Sequence, residues 1–175
     1  TKDPVTNQKQ SGRCWMFAAL NTFRHKFINE FKTEDFEFSQ AYTFFWDKYE
    51  KSNWFMEQII GDIEMDDRRL KFLLQTPQQD GGQWDEKYGI VPKAVYPESQ
   101  ASSSSRELNQ YLNKLLRQDA EILRYTIEQG GDVEEVKEEL LQEVFNFLAV
   151  TLGLPPQNFE FAFRNKDNEY KKFVG

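Results

Sequence analysis

Cys14 and His25 are the only cysteine and the only histidine in the chain, so any thiol or imidazole chemistry must pass through them. A lone cysteine is, by default, a buried and inert core residue. The setting of Cys14 argues for more. It falls at the first turn of a helix read over residues 14–31, and helix N-termini carry partial positive charge that favours a thiolate. Arg13 adds a cation next door, and Gln8, six residues upstream, carries a side-chain amide able to donate a hydrogen bond. A nucleophile at a helix start with an amide donor beside it is how an oxyanion hole for acyl transfer is assembled. Gln8 taken alone reads as a solvated loop residue.

His25 does not complete that arrangement. It lies 11 residues beyond Cys14 on the same helix, roughly 16 Å away at ~1.5 Å rise per residue. A nucleophile and its base need about 3 Å. His25 is therefore a helix-surface histidine, and the general base must come from elsewhere. With one cysteine no disulfide forms within the chain, which speaks for a reducing compartment, and two soft ligands exclude a structural zinc site. Gly81-Gly82, in the polar run Gln78-Gln79-Asp80-Gly81-Gly82-Gln83-Trp84, is the other candidate. An extended peptide can approach glycine backbone closely, with no Cβ in the way. Alone, Asp-Gly-Gly is an ordinary turn.

The elements that must position these residues read mainly as helices. On the first, Met16, Leu20, Phe23, Phe27 and Phe31 form one stripe at helical period. A second helix opens after Ser39, a good N-cap, and carries Tyr42, Phe45, Trp46 and Tyr49. A shorter piece covers about 66–74 and stops before Pro77. Residues 88–92 and 95–97 read as extended, and Ser102–Ser105 as a surface hinge. Two long amphipathic helices follow. The first, about 106–129, is read with Leu108, Leu112, Leu115, Ile122 and Tyr125 inward; the second opens at the Asp132 cap and runs to Gly153. Residues 159–164 and 169–174 have the pattern of a β-hairpin, and the chain stops there in the manner of the front part of a larger protein.

Composition sets the outer limits. The 175 residues are 39% hydrophobic and 29% charged, which excludes disorder and collagen-like repeats. No apolar run approaches the roughly 20 residues of a spanning helix, and the polar start is not that of a signal peptide. A net charge of −7 without a basic block argues against nucleic acid as the main partner. Aromatic residues reach 15%, a surplus that an interface or a substrate cleft would use.

The string Asn7-Gln8-Lys9-Gln10-Ser11-Gly12-Arg13-Cys14-Trp15-Met16-Phe17-Ala18 resembles the active-site segment of papain-like cysteine peptidases. Phe38-Ser39-Gln40-Ala41-Tyr42, Phe44-Phe45-Trp46-Asp47-Lys48, Asp80-Gly81-Gly82-Gln83-Trp84-Asp85 and Val95-Tyr96-Pro97-Glu98-Ser99 extend the resemblance, over essentially the whole chain, to the bleomycin hydrolase and aminopeptidase C branch. The resemblance implies an α+β fold: the N-terminal, mainly helical part of a papain-like fold, with an added helical pair and a C-terminal β-hairpin. It divides the chain into 1–100, carrying the nucleophile helix and the Gly-Gly loop, and 101–175, a helical insertion followed by the hairpin. It implies Cys14 and Gln8 as catalytic residues, and Gly81, Gly82 and Trp15 as substrate-binding ones. Trp84 reads as a core anchor.

By the same resemblance the whole protein is a cytoplasmic cysteine aminopeptidase. It acts on peptide substrates through a thioacyl intermediate, without metal or organic cofactor, as a homo-oligomer of hexameric type. Its catalytic His and Asn come from a C-terminal part not present here. The competing reading is a non-catalytic interaction or assembly module that keeps the fold. Two departures stand out. The second cysteine pair of secreted relatives is replaced by Ser11 and Gln79, as an intracellular branch should show. The branch also has a short apolar helical stretch where Asp85 here joins Glu86 directly. Either that helix is deleted or residues are omitted between 85 and 86, and omission is favoured because deletion would leave the Gly-Gly loop poorly supported.

Overall fold

Apolar residues recurring at steps of three and four make this a mainly helical chain with one hairpin at its end. A computed structural model describes residues 13–78 and 85–175. In order the elements are α1 (Cys14–Phe31), α2 (Gln40–Gly61), α3 (Asp67–Leu73), α4 (Gln75–Gln78), α5 (Asp85–Tyr88), α6 (Gln100–Ser103), α7 (Arg106–Glu128), α8 (Val133–Leu152), β1 (Glu160–Arg164) and β2 (Tyr170–Val174). The fold class is the expected one.

Capping residues fix the helix starts. Ser39 Oγ accepts from Tyr42 N at 3.0 Å, and Asp132 Oδ1 accepts from Glu134 N and Glu135 N, each at 3.1 Å. Gly130, at φ +69°, supplies the left-handed turn between α7 and α8 that a side-chain-bearing residue takes only with strain. Ser39 does more than cap. Its Oγ also donates to Tyr96 O at 2.5 Å, while Ser39 N donates to Val91 O and Lys93 N to Glu37 O, each at 2.8 Å. The segments read as extended over 88–92 and 95–97 are thereby laced to the start of α2.

α2 is the axis of the molecule. It packs against both α7 and α8, and Phe44, Phe45, Phe55, Met56 and Ile59 on it have no exposed surface. The hydrophobic core runs without a break from Met16 in α1 to Leu152 in α8, across residue 100. The hairpin pairs antiparallel, Glu160 opposite Val174 and Arg164 opposite Tyr170. It closes on α1 through rings: Phe173 lies 5.6 Å from Phe27 and meets Phe31 edge-on at 5.0 Å. Much of the aromatic surplus is spent here, inside the fold.

Four expectations are corrected. Phe23 is exposed on α1, and Arg24 is buried in its place, with Nε donating to Phe36 O at 2.5 Å. On α7 the inward residues are Leu108, Leu112, Leu116, Ala120 and Leu123; Ile122 and Tyr125 face out. Adjacent pairs, Leu115-Leu116 and Ile122-Leu123, let the sequence support two stripes, and packing on α2 and α8 selects one. The short helix read over 66–74 stands as α3 and ends before Pro77, which falls in the separate α4; the extended reading of residue 88 is the one corrected, since Tyr88 closes α5. The serine run is not a surface hinge: Ser99 and Ser102 cap α6 reciprocally, and Ser102 is fully buried.

Candidate active site

α1 begins at the residue that carries the thiol. Arg13 occupies the N-cap position, its carbonyl accepting from Phe17 N at 3.0 Å, so Cys14 is the first residue in helical conformation. Its thiol is exposed. Met16, Phe17 and Leu20 turn into the core, which leaves Cys14, Ala18 and Thr22 exposed on the outward face. Farther along that face lies exposed His25, 11 residues on. At about 1.5 Å per residue this is again roughly 16 Å, so the helix holds the chain's only imidazole away from its only thiol.

Arg13 departs from expectation. It was read as a cation beside the thiol, yet its side chain is 1% exposed and turned into the fold. There Nη1 and Nη2 donate to the two oxygens of Glu98 at 3.1 and 2.9 Å. This paired fork is neutralised by its carboxylate rather than offered to a thiolate. The guanidinium also lies 5.4 Å from the Phe17 ring centre and 5.3 Å from that of Phe44.

Below the site α2 buries a row of charges that the sequence reading passed over. Lys51 donates to Asp47 at 3.0 Å. Lys48, with no exposed surface, donates to Pro77 O at 2.7 Å and has its ammonium 5.1 Å from the Phe44 ring centre. Glu50 receives Lys87 and Tyr88 together; burial and this carboxylate push the Tyr88 hydroxyl up to about 12. Trp46 stacks flat on Tyr88, 3.9 Å between ring centres, beside a recess of about 840 Å³ lined by Tyr42, Phe145 and Pro155.

Of the site residues named from sequence, the structure describes the placement of Cys14. Gln8, Gly81 and Gly82 lie outside the described residues, as do Trp84 and the side chain of Trp15. Glu98 is the site-supporting residue that sequence reasoning missed. It stands in a quoted motif, but its partner is 85 positions away, and no local pattern announces such a pair.

The geometry is that of an exposed thiol at a helix start, on a helical body closed by a β-hairpin. The model of the Peptidase C1-like family matches residues 1–175, and the chain belongs to that family. It is 96% identical to aminopeptidase C of Lactococcus lactis subsp. lactis over 181 aligned positions, covering 100% of this chain and 42% of that protein. Rat (Rattus norvegicus) bleomycin hydrolase is 40% identical over 182 positions, covering 97% of this chain and 40% of its own. The crystal structure of PepW from Lactobacillus rhamnosis HN001 superposes with a TM-score of 0.89 at 52% identity, covering 99% of this chain and 41% of that one. The chain thus spans about 42% of the length of the curated relatives it matches.

Proposed function

We propose that this chain is the nucleophile-bearing part of a cysteine aminopeptidase that removes amino-terminal residues from peptides. The observation that carries the reading is the exposed, solitary Cys14 as the first residue of α1, in a chain matched throughout by a peptidase family. The names of its relatives, aminopeptidase C among them, agree with the reaction class.

In the reaction, the Cys14 thiolate attacks the carbonyl of the first peptide bond. The Sγ–C bond forms as the C=O electrons move to oxygen, and the Gln8 amide holds that oxyanion. Collapse breaks the C–N bond, and the leaving amine takes a proton from an imidazolium. Water then hydrolyses the thioacyl group by the same route. Gly81, Gly82 and Trp15 hold the substrate backbone over the sulfur. The imidazole and the Asn that orients it come from the C-terminal part of the same protein, since His25 is out of reach. Peptides are the substrates; the assembly is a homo-oligomer, hexameric by family resemblance, in the cytoplasm. None of the helices of the described residues is long and apolar enough to cross a membrane.

Within the chain we read 1–100 as the papain-like helical part and 101–175 as the helical insertion with its hairpin. The 181 aligned positions against 175 residues leave positions of the relative unmatched, and we read these as residues omitted between Asp85 and Glu86.

The test is hydrolysis of aminoacyl amides by the complete protein and by this chain alone. Turnover by the complete protein that disappears in Cys14→Ala, with none from the isolated chain, is the expected result. A complete protein without turnover would favour the assembly-module reading, and turnover indifferent to Cys14 would remove Cys14 as the nucleophile.

A further inference from the structure

We propose that Arg13, Glu98 and Ser102 form a clamp, buried at Arg13 and Ser102 and half-buried at Glu98, whose task is to fix the direction of the Cys14 side chain. The proposal rests on Cys14 being the nucleophile. Arg13 is held at both ends: its carbonyl closes the first turn of α1 with Phe17 N, and its guanidinium grips both oxygens of Glu98. With side chain and main chain of residue 13 both fixed, the backbone that launches Cys14 has little freedom left.

The clamp does not hang from a loose loop. Glu98 follows Tyr96, whose carbonyl accepts from Ser39 Oγ and whose hydroxyl donates to Gly153 O at 2.6 Å. The α2 start and the α8 end thereby hold the segment in place. Ser102 Oγ donates to Glu98 Oε2 at 2.6 Å and accepts from Ser99 N at 2.9 Å, which ties the carboxylate to the capping box of α6. Here the serine run finds its use. Phe44 and Phe17 wall the guanidinium, so the fork cannot swing away.

Stability alone gives little reason for such a pair. Burying the Arg13 cation costs desolvation energy that its attraction to Glu98 often only offsets, and an apolar side chain of similar size serves a core as well. A bidentate fork differs from them in directional precision, and this one is spent on the residue preceding the thiol.

The experiment follows iodoacetamide alkylation of Cys14, the chain's single thiol, by mass spectrometry across pH 6–10. Wild type is compared with Glu98→Gln, Arg13→Lys and Ser102→Ala, each checked for retained helicity by circular dichroism. If the clamp positions Cys14, loosening it frays the first turn and weakens the helix-terminus field at the sulfur. The pH of half-maximal alkylation then rises in all three variants, by roughly half a unit in the first two and about half of that in Ser102→Ala. Simple charge proximity makes the opposite forecast for Glu98→Gln, a fall, because an anion is removed. It forecasts no change for the other two, whose charges are kept.

A fall in folded Glu98→Gln, or profiles unchanged in Arg13→Lys and Ser102→Ala, would overturn the clamp. Should Glu98→Gln fail to fold, the two charge-conserving variants decide. A wild-type thiol that stays inert across the series tells against Cys14 as nucleophile and takes the clamp with it; a reactive wild type with unmoved variants sinks the clamp alone.

Discussion

Asp119 makes the stability of this chain fall as pH rises through neutrality, and Asp119→Asn should abolish that fall. The residue lies on the inward face of α7 with 1% of its surface exposed, and its Oδ2 has no hydrogen-bond partner. Burial, with a smaller push from Glu143 on α8, raises the carboxyl from 3.8 to about 7. Between these values the unfolded chain is ionised at this position while the folded chain holds the proton. Folding therefore takes up a proton, and each step up in pH works against it. The stabilisation is whole below about 3.8 and is lost as pH passes 7.

A displacement of about three units, at about 1.4 kcal/mol each, sets an upper figure of roughly 4 kcal/mol. Part of this is lost between pH 3.8 and pH 5, and roughly 2.5 kcal/mol falls between pH 5 and pH 8. Urea unfolding of wild type and Asp119→Asn at pH 5, 6, 7 and 8 isolates the contribution, because every other group cancels in the difference. The variant should gain on wild type by about 2.5 kcal/mol between pH 5 and pH 8, the slope flattening once pH passes the folded carboxyl at about 7. A difference that stays flat, or one in which wild type gains with pH, would refute the reasoning; the latter would mean that a cation reaches the carboxylate.

Three further outcomes follow from packing and reach. Ser39→Ala removes both a helix cap and a buried donor to Tyr96 O, and should cost about 2 kcal/mol, seen as a Tm lower by roughly 4–8 °C. Leu123→Ala should cost about 3 kcal/mol in urea unfolding and Ile122→Ala less than about 1 kcal/mol, because only Leu123 faces the core; equal losses would mean that the α7 face is wrongly assigned. In the complete protein, Gln8→Ala should lower kcat by roughly 10²-fold with KM changed much less, as measured by steady-state hydrolysis of an aminoacyl amide; a change confined to KM would remove Gln8 from the oxyanion role.

What the sequence made legible depended on how local the determining interaction is. Helix α1 and the start of α2 follow from apolar period and from Ser39, and the structure places both where those signals stand. The turn at Gly130 and the hairpin were equally readable, because turn chemistry acts within a few residues. The face of α7 was not, since adjacent leucine and isoleucine pairs leave two stripes and only α2 and α8 distinguish them. Ser102 misled because a serine run reads as a linker, whereas serine is also the residue that caps. At the candidate site the thiol was legible as a residue type in a motif, but the destination of the Arg13 side chain was not. A pairing with Glu98 across 85 positions leaves no trace in local pattern.

The buried charges share a geometric logic. Arg13 and Lys48 place their cations against one ring, Phe44, at 5.3 and 5.1 Å. One cation belongs to the residue before the thiol, and the other donates to Pro77 O, in the helical turn that precedes the Gly-Gly segment. Phe44 has no exposed surface and belongs to α2, the helix on which the rest of the core packs. A displacement of α2 would therefore be felt at both ends at once, and neither end can move far without losing a charge-assisted bond in a place that water does not reach. An apolar core of the same volume would tolerate small slips between helices, because its contacts are non-directional. Directional contacts penalise such slips. Their concentration beside Cys14 and ahead of residues 79–84 is the distribution expected where the fold must hold a site in place as well as be stable.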